Sequence, residues 1–160
     1  MAGLKFRVAD DIEAPVDWVW GGFTDFAAIE ADIRARDAEV VRVGDWKEAA
    51  LGVAWRGSVA VRGKLRPIEA RIAALSREER FVVESRIGGM GCHYEVSFVP
   101  LSATVTRVSV MLELKASTLS ARLLLQTLKV ARRRVIQRLE GAVVRQGQAV
   151  EADWRARAGA

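Results

Sequence analysis

The sequence predicts a single α+β domain in which a curved antiparallel sheet of about seven strands wraps around a long C-terminal helix, with two short helices after the first strand. Three observations support this prediction. Leu4, Phe6 and Val8 alternate with charged residues, as in a strand with one buried face. Residues 38–116 divide into short alternating segments at the spacing of hairpins. Residues 119–150 have the hydrophobic period of a helix.

The two short helices are predicted where the period changes after the first strand. Pro15 suits the first turn of a helix, and Trp18 and Phe23 follow at helical spacing. Asp25 is a good N-cap for a second helix over residues 26–35. We therefore expect a helix–turn–helix insert between the first and second strands.

The strand-rich stretch, residues 38–116, is interrupted by glycine-rich and polar turns. Gly63 separates two strands, the polar segment SREER begins at Ser76, and Gly88-Gly89 leads into the next strand. These turns divide the stretch into about six strands, which we expect to pair in sequence as antiparallel hairpins.

The last element is a helix that Ser117 or Thr118 can cap and that continues to about Val150. Thirty helical residues span about 45 Å, enough to lie across a small sheet. Residues 1–150 then form one domain, and residues 151–160 are expected to be a frayed tail. A curved sheet covered by one helix tends to leave a cavity between them, a common place for a ligand.

Composition and charge restrict the class of protein. The 160 residues include one cysteine, which excludes an intrachain disulfide. No apolar run is long enough to cross a bilayer, and charges come too early for a secretory signal, so we expect a cytoplasmic protein. The net charge is +5, and residues 118–160 carry nine basic and three acidic residues. The basic character therefore belongs to the C-terminal segment.

Three segments resemble those of a known superfamily. IEAPVDWVWGGFTDFAAI is similar to its strand, Ala-Pro turn and helix, RIAALSREERFVVES to a turn between two of its strands, and TRVSVMLELKASTLSARLL to the entry into its last helix. Over residues 4–150 the chain resembles the START-like helix-grip superfamily, also described as SRPBCC or polyketide cyclase/dehydrase-like. This resemblance implies the helix-grip fold. It also implies a hydrophobic ligand such as a lipid, sterol, quinone, polyketide or hormone, with a minority of members being cyclases or aromatases.

The chain has one cysteine and one histidine, and they are adjacent. Cys92 and His93 together suggest a nucleophile beside its base. Neighbouring side chains on a strand project to opposite faces, however, so we expect Cys92 to face the helix and His93 to face solvent. A catalytic dyad is therefore not expected. One histidine and one cysteine also make a zinc site unfavourable, and we expect no metal and no cofactor.

The inner face of the sheet and the facing side of the last helix should line the cavity. Tyr94 is the most informative member of this set, because a buried tyrosine hydroxyl usually finds a partner, which in a cavity can be a ligand. The predicted lining comprises Trp55, Val59, Ile68, Val83, Ser85, Cys92, Tyr94, Val110 and Leu112 from the sheet, with Leu128, Arg132 and Val135 from the helix.

Arg132 falls inside the apolar stripe of the helix, about 40° from Leu128, whereas Arg133 and Arg134 turn away from it. An arginine at such a position either extends along its stem to solvent or meets an anion in the cavity. Both alternatives remain open. If the ligand carries a carboxylate, Arg132 is the preferred partner.

The outward face of the helix is basic and is interpreted as a solvated surface. It lacks interleaved aromatic residues for stacking on bases, so nucleic acid is not expected, and contact with an anionic membrane is possible but not favoured. The basic residues concerned are Lys129, Arg133, Arg134, Arg138 and Arg145. Elsewhere, Trp18, Trp20 and Trp46 are candidates for the rim of the cavity mouth.

Three functions remain after this reasoning. The first is non-catalytic binding or transport of a hydrophobic small molecule in the cavity. The second is an enzyme of the cyclase or aromatase type, for which Tyr94, Ser85 and Arg132 would be few polar groups. The third is an interaction module that uses the basic helix on a membrane or an acidic partner. The identity of the ligand and the choice between monomer and homodimer stay open.

Overall fold

The computed structural model describes residues 3–35, 38–44, 49–61 and 63–159. Its sheet has seven antiparallel strands in the order β1-β7-β6-β5-β4-β3-β2, so consecutive strands from β2 to β7 pair as a meander and β1 closes onto β7. The strands are β1 (Leu4–Ile12), β2 (Ala38–Val43), β3 (Ala54–Val61), β4 (Lys64–Ser76), β5 (Arg80–Ile87), β6 (Met90–Ser102) and β7 (Val105–Ala116).

Two short helices, α1 (Val16–Phe23) and α2 (Phe26–Arg34), follow β1, and the chain ends in α3 (Leu119–Val130) and α4 (Arg132–Ala158). Side chains cap two of these helices as predicted. The Asp25 carboxylate accepts a hydrogen bond from the Ala28 N–H at 3.2 Å, and the Thr118 hydroxyl accepts one from the Ala121 N–H at 3.2 Å. The predicted α+β architecture is confirmed.

The C-terminal helix is interrupted at Ala131, which separates α3 from α4. One turn earlier, the Thr127 hydroxyl donates to the Leu123 carbonyl at 3.2 Å, a contact that bends helices. Sequence periodicity alone did not indicate this interruption. None of the helices in the described ranges is long and apolar enough to cross a membrane.

The helix extends beyond its predicted end at Val150 and continues to Ala158. The expected frayed tail is therefore wrong for residues 151–158. Trp154 lies against Trp18 with ring centroids 5.5 Å apart, and the Glu151 carboxylate accepts a hydrogen bond from the Glu13 N–H at 2.8 Å. These two contacts hold the last turns of α4 against the start of the chain.

The core lies between the inner face of the sheet and the helices. An aromatic group at one end joins α1 to β5 and β6, where Trp20 contacts Phe98 edge to face at 5.2 Å and Phe23 contacts Phe98 at 5.9 Å. A second group, around Phe6 and Leu114, is covered by α3. The sheet bends where the β4–β5 register shifts between Ile72 and Ala74, which helps it curve around the helices.

Candidate functional site

The centre of the inner face is formed by two cross-strand pairs of β5 and β6. Val83 is paired with Tyr94, and Ser85 is paired with Cys92. All four side chains are half-buried although their face of the sheet is turned toward the helices. The helices therefore do not cover this part of the sheet completely.

Tyr94 is the principal polar residue of this region. Its ring packs against the core group that includes Val96 and Phe98. No residue in the described ranges hydrogen-bonds its hydroxyl, and burial raises the pKa of Tyr94 to about 12. The hydroxyl is therefore neutral at physiological pH and able to donate a hydrogen bond to a group that the protein does not supply.

Cys92 and His93 lie on opposite faces of the sheet, and this prediction from strand alternation is confirmed. Cys92 packs on the inner face against the group around Phe6, and burial raises the pKa of its thiol. His93 lies on the outer face, where its Nδ1 contacts the Glu84 carboxylate and its Nε2 lies 3.4 Å from Glu95 Oε1. A neutral thiol and an imidazole on the far side of the sheet cannot act as a nucleophile and its base.

Trp55, a predicted lining residue, takes part in a polar cluster that sequence reasoning missed. Its indole Nε1–H donates to Glu30 Oε2 at 2.7 Å. Arg42 binds the same buried carboxylate with two hydrogen bonds, at 2.8 and 3.1 Å. These bonds lower the pKa of Glu30, chiefly through Arg42, so Glu30 is ionised at neutral pH. The cluster fixes α2 against β2 and β3 beside the inner face.

A sequence signal for Glu30 does exist. Phe26, Ile29 and Ile33 mark the apolar face of α2, and Glu30 falls among them at helical spacing. A carboxylate on such a face needs a buried partner. Arg42, which follows Val40 by two residues and so shares its face of β2, is that partner.

The remaining predicted lining residues divide into two groups. Leu112, Leu128 and Val135 are half-buried and pack with Cys92 around Phe6, and Val110 is fully buried in the larger core group. Val59 and Ile68 are half-buried near the β3–β4 turn and belong to none of the core groups of the described residues. The structure thus brings together Val83, Ser85, Cys92, Tyr94, Leu112, Leu128 and Val135, with Trp55 beside them.

Arg132 is exposed, and its guanidinium carbon lies 5.2 Å from the centre of the Phe6 ring. This placement corresponds to the alternative in which the side chain extends along the apolar surface to solvent. No contact among the described residues joins Arg132 to Tyr94. The structure therefore does not bring these two predicted polar groups to one site.

The tryptophans proposed for the rim have different positions. Trp20 is buried in the core, whereas Trp18 lines a groove of about 1000 Å³ between α1, α2 and α4, together with Ile29, Ile33 and Val150. Trp46 lies outside the described residues. Another groove, of about 700 Å³, lies on the outer face of the sheet, where its walls include the charged residues Arg56, Arg71, Arg86, Glu69, Glu84 and Lys115.

Solved structures show similarity to the whole architecture. An aromatase/cyclase from Streptomyces sp. R1128 has a TM-score of 0.65 and 18% identity over 91% of this chain and 94% of its own. Norcoclaurine synthase from Thalictrum flavum has a TM-score of 0.61 and 12% identity over 94% of each chain. A START superfamily protein from Mycobacterium smegmatis has a TM-score of 0.55 and 14% identity over 86% of this chain and 98% of its own.

No protein-family model matches the sequence, and no curated protein is significantly similar to it. At identities this low the solved structures establish the architecture alone. The architecture of this chain combines the seven-stranded antiparallel sheet, two short helices after the first strand and a long C-terminal helical segment. The chain therefore has the START-like helix-grip fold.

Proposed function

We propose that this protein binds or carries a hydrophobic small molecule between the sheet and the C-terminal helix, without catalysing its conversion. The observation that carries the proposal is the Tyr94 hydroxyl, which lies on the half-buried inner face, is neutral and has no hydrogen-bond partner among the described residues. None of the side-chain polar atoms in the described ranges is both buried and unpaired, so this hydroxyl is accessible and can donate to a ligand that reaches the inner face.

The surroundings of Tyr94 indicate the chemistry of the ligand. Val83 and Leu112, the cross-strand neighbours of Tyr94, are aliphatic and half-buried, so an apolar body placed against them removes further surface from water. Tyr94 and Ser85 supply hydroxyls that can donate to one oxygen of the ligand. A lipid-like, quinone-like or polyketide-like molecule with a carbonyl or hydroxyl group fits this combination.

A cyclase or aromatase reaction is less well supported by the same residues. Proton transfer along a reactive chain needs several convergent acids and bases. Near Tyr94 the inner face offers Ser85 and the protonated Cys92 thiol, and Glu30 is already bound by Arg42 and Trp55. The similarity to an aromatase/cyclase and to norcoclaurine synthase is one of fold.

Native mass spectrometry of the freshly purified protein is the first test, because a bound molecule adds its mass to the chain.

The second test is titration with the fluorescent probe anilinonaphthalene sulfonate. In the Cys92→Phe variant, a larger side chain projects from the same face of β6 as Tyr94, and we expect probe affinity to fall at least about tenfold. The matched control is His93→Phe, which changes the adjacent residue on the outer face and should leave affinity unchanged.

Equal probe binding by the Cys92→Phe and His93→Phe proteins would show that the ligand lies elsewhere and would overturn the proposal. Turnover of a candidate polyketide by the wild-type protein, lost in Tyr94→Phe while binding is kept, would favour the enzyme instead. Tyr94→Phe alone is expected to weaken binding of an oxygen-bearing ligand and to spare that of a hydrocarbon analogue.

A further inference from the structure

The stretch from β7 into α4 has an unusual charge pattern. Residues 114–139 contain seven basic residues and no acidic residue. The basic residues Arg122, Lys129, Arg133 and Arg134 are exposed, and none of them forms a salt bridge within the described ranges. This stretch therefore presents a positive charge that other parts of the described chain do not neutralise.

Helix α3 also exposes aliphatic side chains on the face turned away from the core. Ala121, Leu124, Leu125 and Leu128 pack inward around Phe6. Leu119, Leu123 and Val130 point outward and are 72%, 59% and 90% exposed. Isolated exposed aliphatic residues are ordinary, but here three share one face of a single helix. Because one face of α3 already covers the core, the second apolar row needs another explanation.

The charges and the aliphatic row belong to one surface. On a helical projection Leu119 and Val130 lie within about 40° of Leu123, and Arg122 and Lys129 lie about 100° and 120° from it on one side. We refer to Leu119, Leu123, Val130, Arg122 and Lys129 as the α3 surface. An apolar row bordered by cations is the arrangement found in helices that lie in the interface of a membrane.

The β3–β4 hairpin carries the same combination at the same end of the sheet. Leu65 is 74% exposed between the exposed residues Lys64 and Arg66. Ile68 of β4 pairs with Ile87 of β5, which pairs with Met90 of β6, and Met90 pairs with Ala116 of β7. Helix α3 begins three residues after Ala116. Leu65 and the α3 surface therefore project from the same end of the sheet.

We infer that the α3 surface, together with the tip of the β3–β4 hairpin, docks on an anionic lipid bilayer. Phospholipid headgroups satisfy the unpaired cations, and the headgroup–acyl boundary takes up the aliphatic side chains. Nucleic acid would meet the cations alone, because this surface carries no aromatic residue for stacking. The inference goes beyond ligand binding and does not depend on it.

The direct test is flotation of the purified protein with phosphatidylcholine vesicles that either contain or lack phosphatidylglycerol. We expect binding to the anionic vesicles and a fall in binding as salt rises. The variant Leu119→Ser/Leu123→Ser should weaken this binding at least about tenfold, because it removes the inserted side chains. Its matched control is Val99→Ser/Leu101→Ser, in which residues that are 50% and 47% exposed are changed at the opposite end of the sheet.

A second pair of variants tests the charges. Arg122→Gln/Lys129→Gln should weaken binding by about fivefold for each lost cation. Arg71→Gln/Arg77→Gln removes the same charge from the outer face and the β4–β5 turn, and should have little effect. Circular dichroism confirms that each variant folds. Tyr94→Phe should bind vesicles normally, so membrane docking and ligand binding can fail separately.

Three results would overturn the inference. The first is absence of binding to anionic vesicles at low salt. The second is binding that the leucine and control variants share equally, since the contact would then be purely electrostatic. The third is tighter binding to duplex DNA than to vesicles, or a leucine-dependent self-association without vesicle binding, either of which assigns the α3 surface to a different partner.

Discussion

At the scale of single residues, the Tyr94 hydroxyl gives a measurable signature because the chain contains one tyrosine. Burial raises the pKa of Tyr94 to about 12, compared with about 10 for an exposed phenol. The phenolate absorbance of the native protein should therefore appear near pH 12, and that of the urea-unfolded protein near pH 10.

The same shift predicts how stability depends on pH. The native state keeps a proton that the unfolded state releases, so the contribution of Tyr94 is complete below pH 10 and is lost as the pH rises toward 12. Tyr94→Phe should lack this component when urea unfolding is followed across the alkaline range. A native phenol that titrates like the unfolded one would show that Tyr94 is open to solvent.

The contribution of Glu30 to the stability of the fold should depend on pH in the acid range. Glu30→Gln removes the carboxylate that Arg42 and Trp55 bind, and we expect the free energy of unfolding to fall by about 2–4 kcal/mol at neutral pH. Because the pKa of Glu30 is lowered, chiefly by its hydrogen bonds from Arg42, its contribution is present above about pH 4.5 and is lost as the pH falls further.

The difference between the Glu30→Gln and wild-type proteins should therefore narrow in acid, as measured by urea denaturation at several pH values. Glu39→Gln, an exposed residue of the neighbouring strand β2, serves as the control and should stay within about 0.5 kcal/mol of wild type. A Glu30→Gln protein as stable as this control would mean that the cluster contributes nothing to the fold.

At the scale of elements, the crossing of α1 and α4 depends on one of two adjacent glycines. A Cβ added to Gly22 would lie 2.4 Å from Val150 Cγ2, whereas nothing lies within 4 Å of one added to Gly21. Gly22→Ala should thus lower the free energy of unfolding by about 1–3 kcal/mol through overpacking. Gly21→Ala should raise it by up to about 1 kcal/mol, because alanine is the better helix former.

Thermal unfolding of the two variants measures this contrast, and Gly22→Ala/Val150→Ala should recover part of the loss by removing the obstructing methyl groups. Equal effects of the two single substitutions would show that α1 and α4 are farther apart. The sequence shows the Gly-Gly pair but not which member faces a neighbour, since that depends on the crossing of two helices distant in sequence.

Local pattern predicted most of the elements, because alternation and capping act over a few residues. Asp25 and Thr118 mark helix starts, and Gly63 and Gly88 mark turns, in the sequence as in the structure. The interruption at Ala131 and the position of Arg132 were not predictable in the same way. The position of Arg132 depends on the Phe6 ring, which belongs to β1 and is absent from a helical projection of α4.

At the scale of the whole molecule, strand alternation correctly separated Cys92 from His93, because it follows from backbone geometry. The surroundings of Tyr94 and the Glu30–Arg42–Trp55 cluster could not be predicted in this way, because they depend on the register of several strands and on the packing of α2. The two grooves described above also depend on the assembled molecule, since one lies between three helices and the other crosses the outer face of the sheet. The sequence therefore predicted the architecture more completely than it predicted the site.

The end of α4 joins the two ends of the chain, and this leads to the last prediction. Removing residues 151–160 deletes the Trp154–Trp18 contact and the Glu151 carboxylate that accepts from the Glu13 N–H. We expect the free energy of unfolding to fall by about 2–3 kcal/mol, because an aromatic contact and a hydrogen bond are lost together. A chain that ends at Ala158 keeps both contacts and should match the full-length protein in urea denaturation. If the chain that ends at Val150 is equally stable, the final turns of α4 are dispensable to the folded unit.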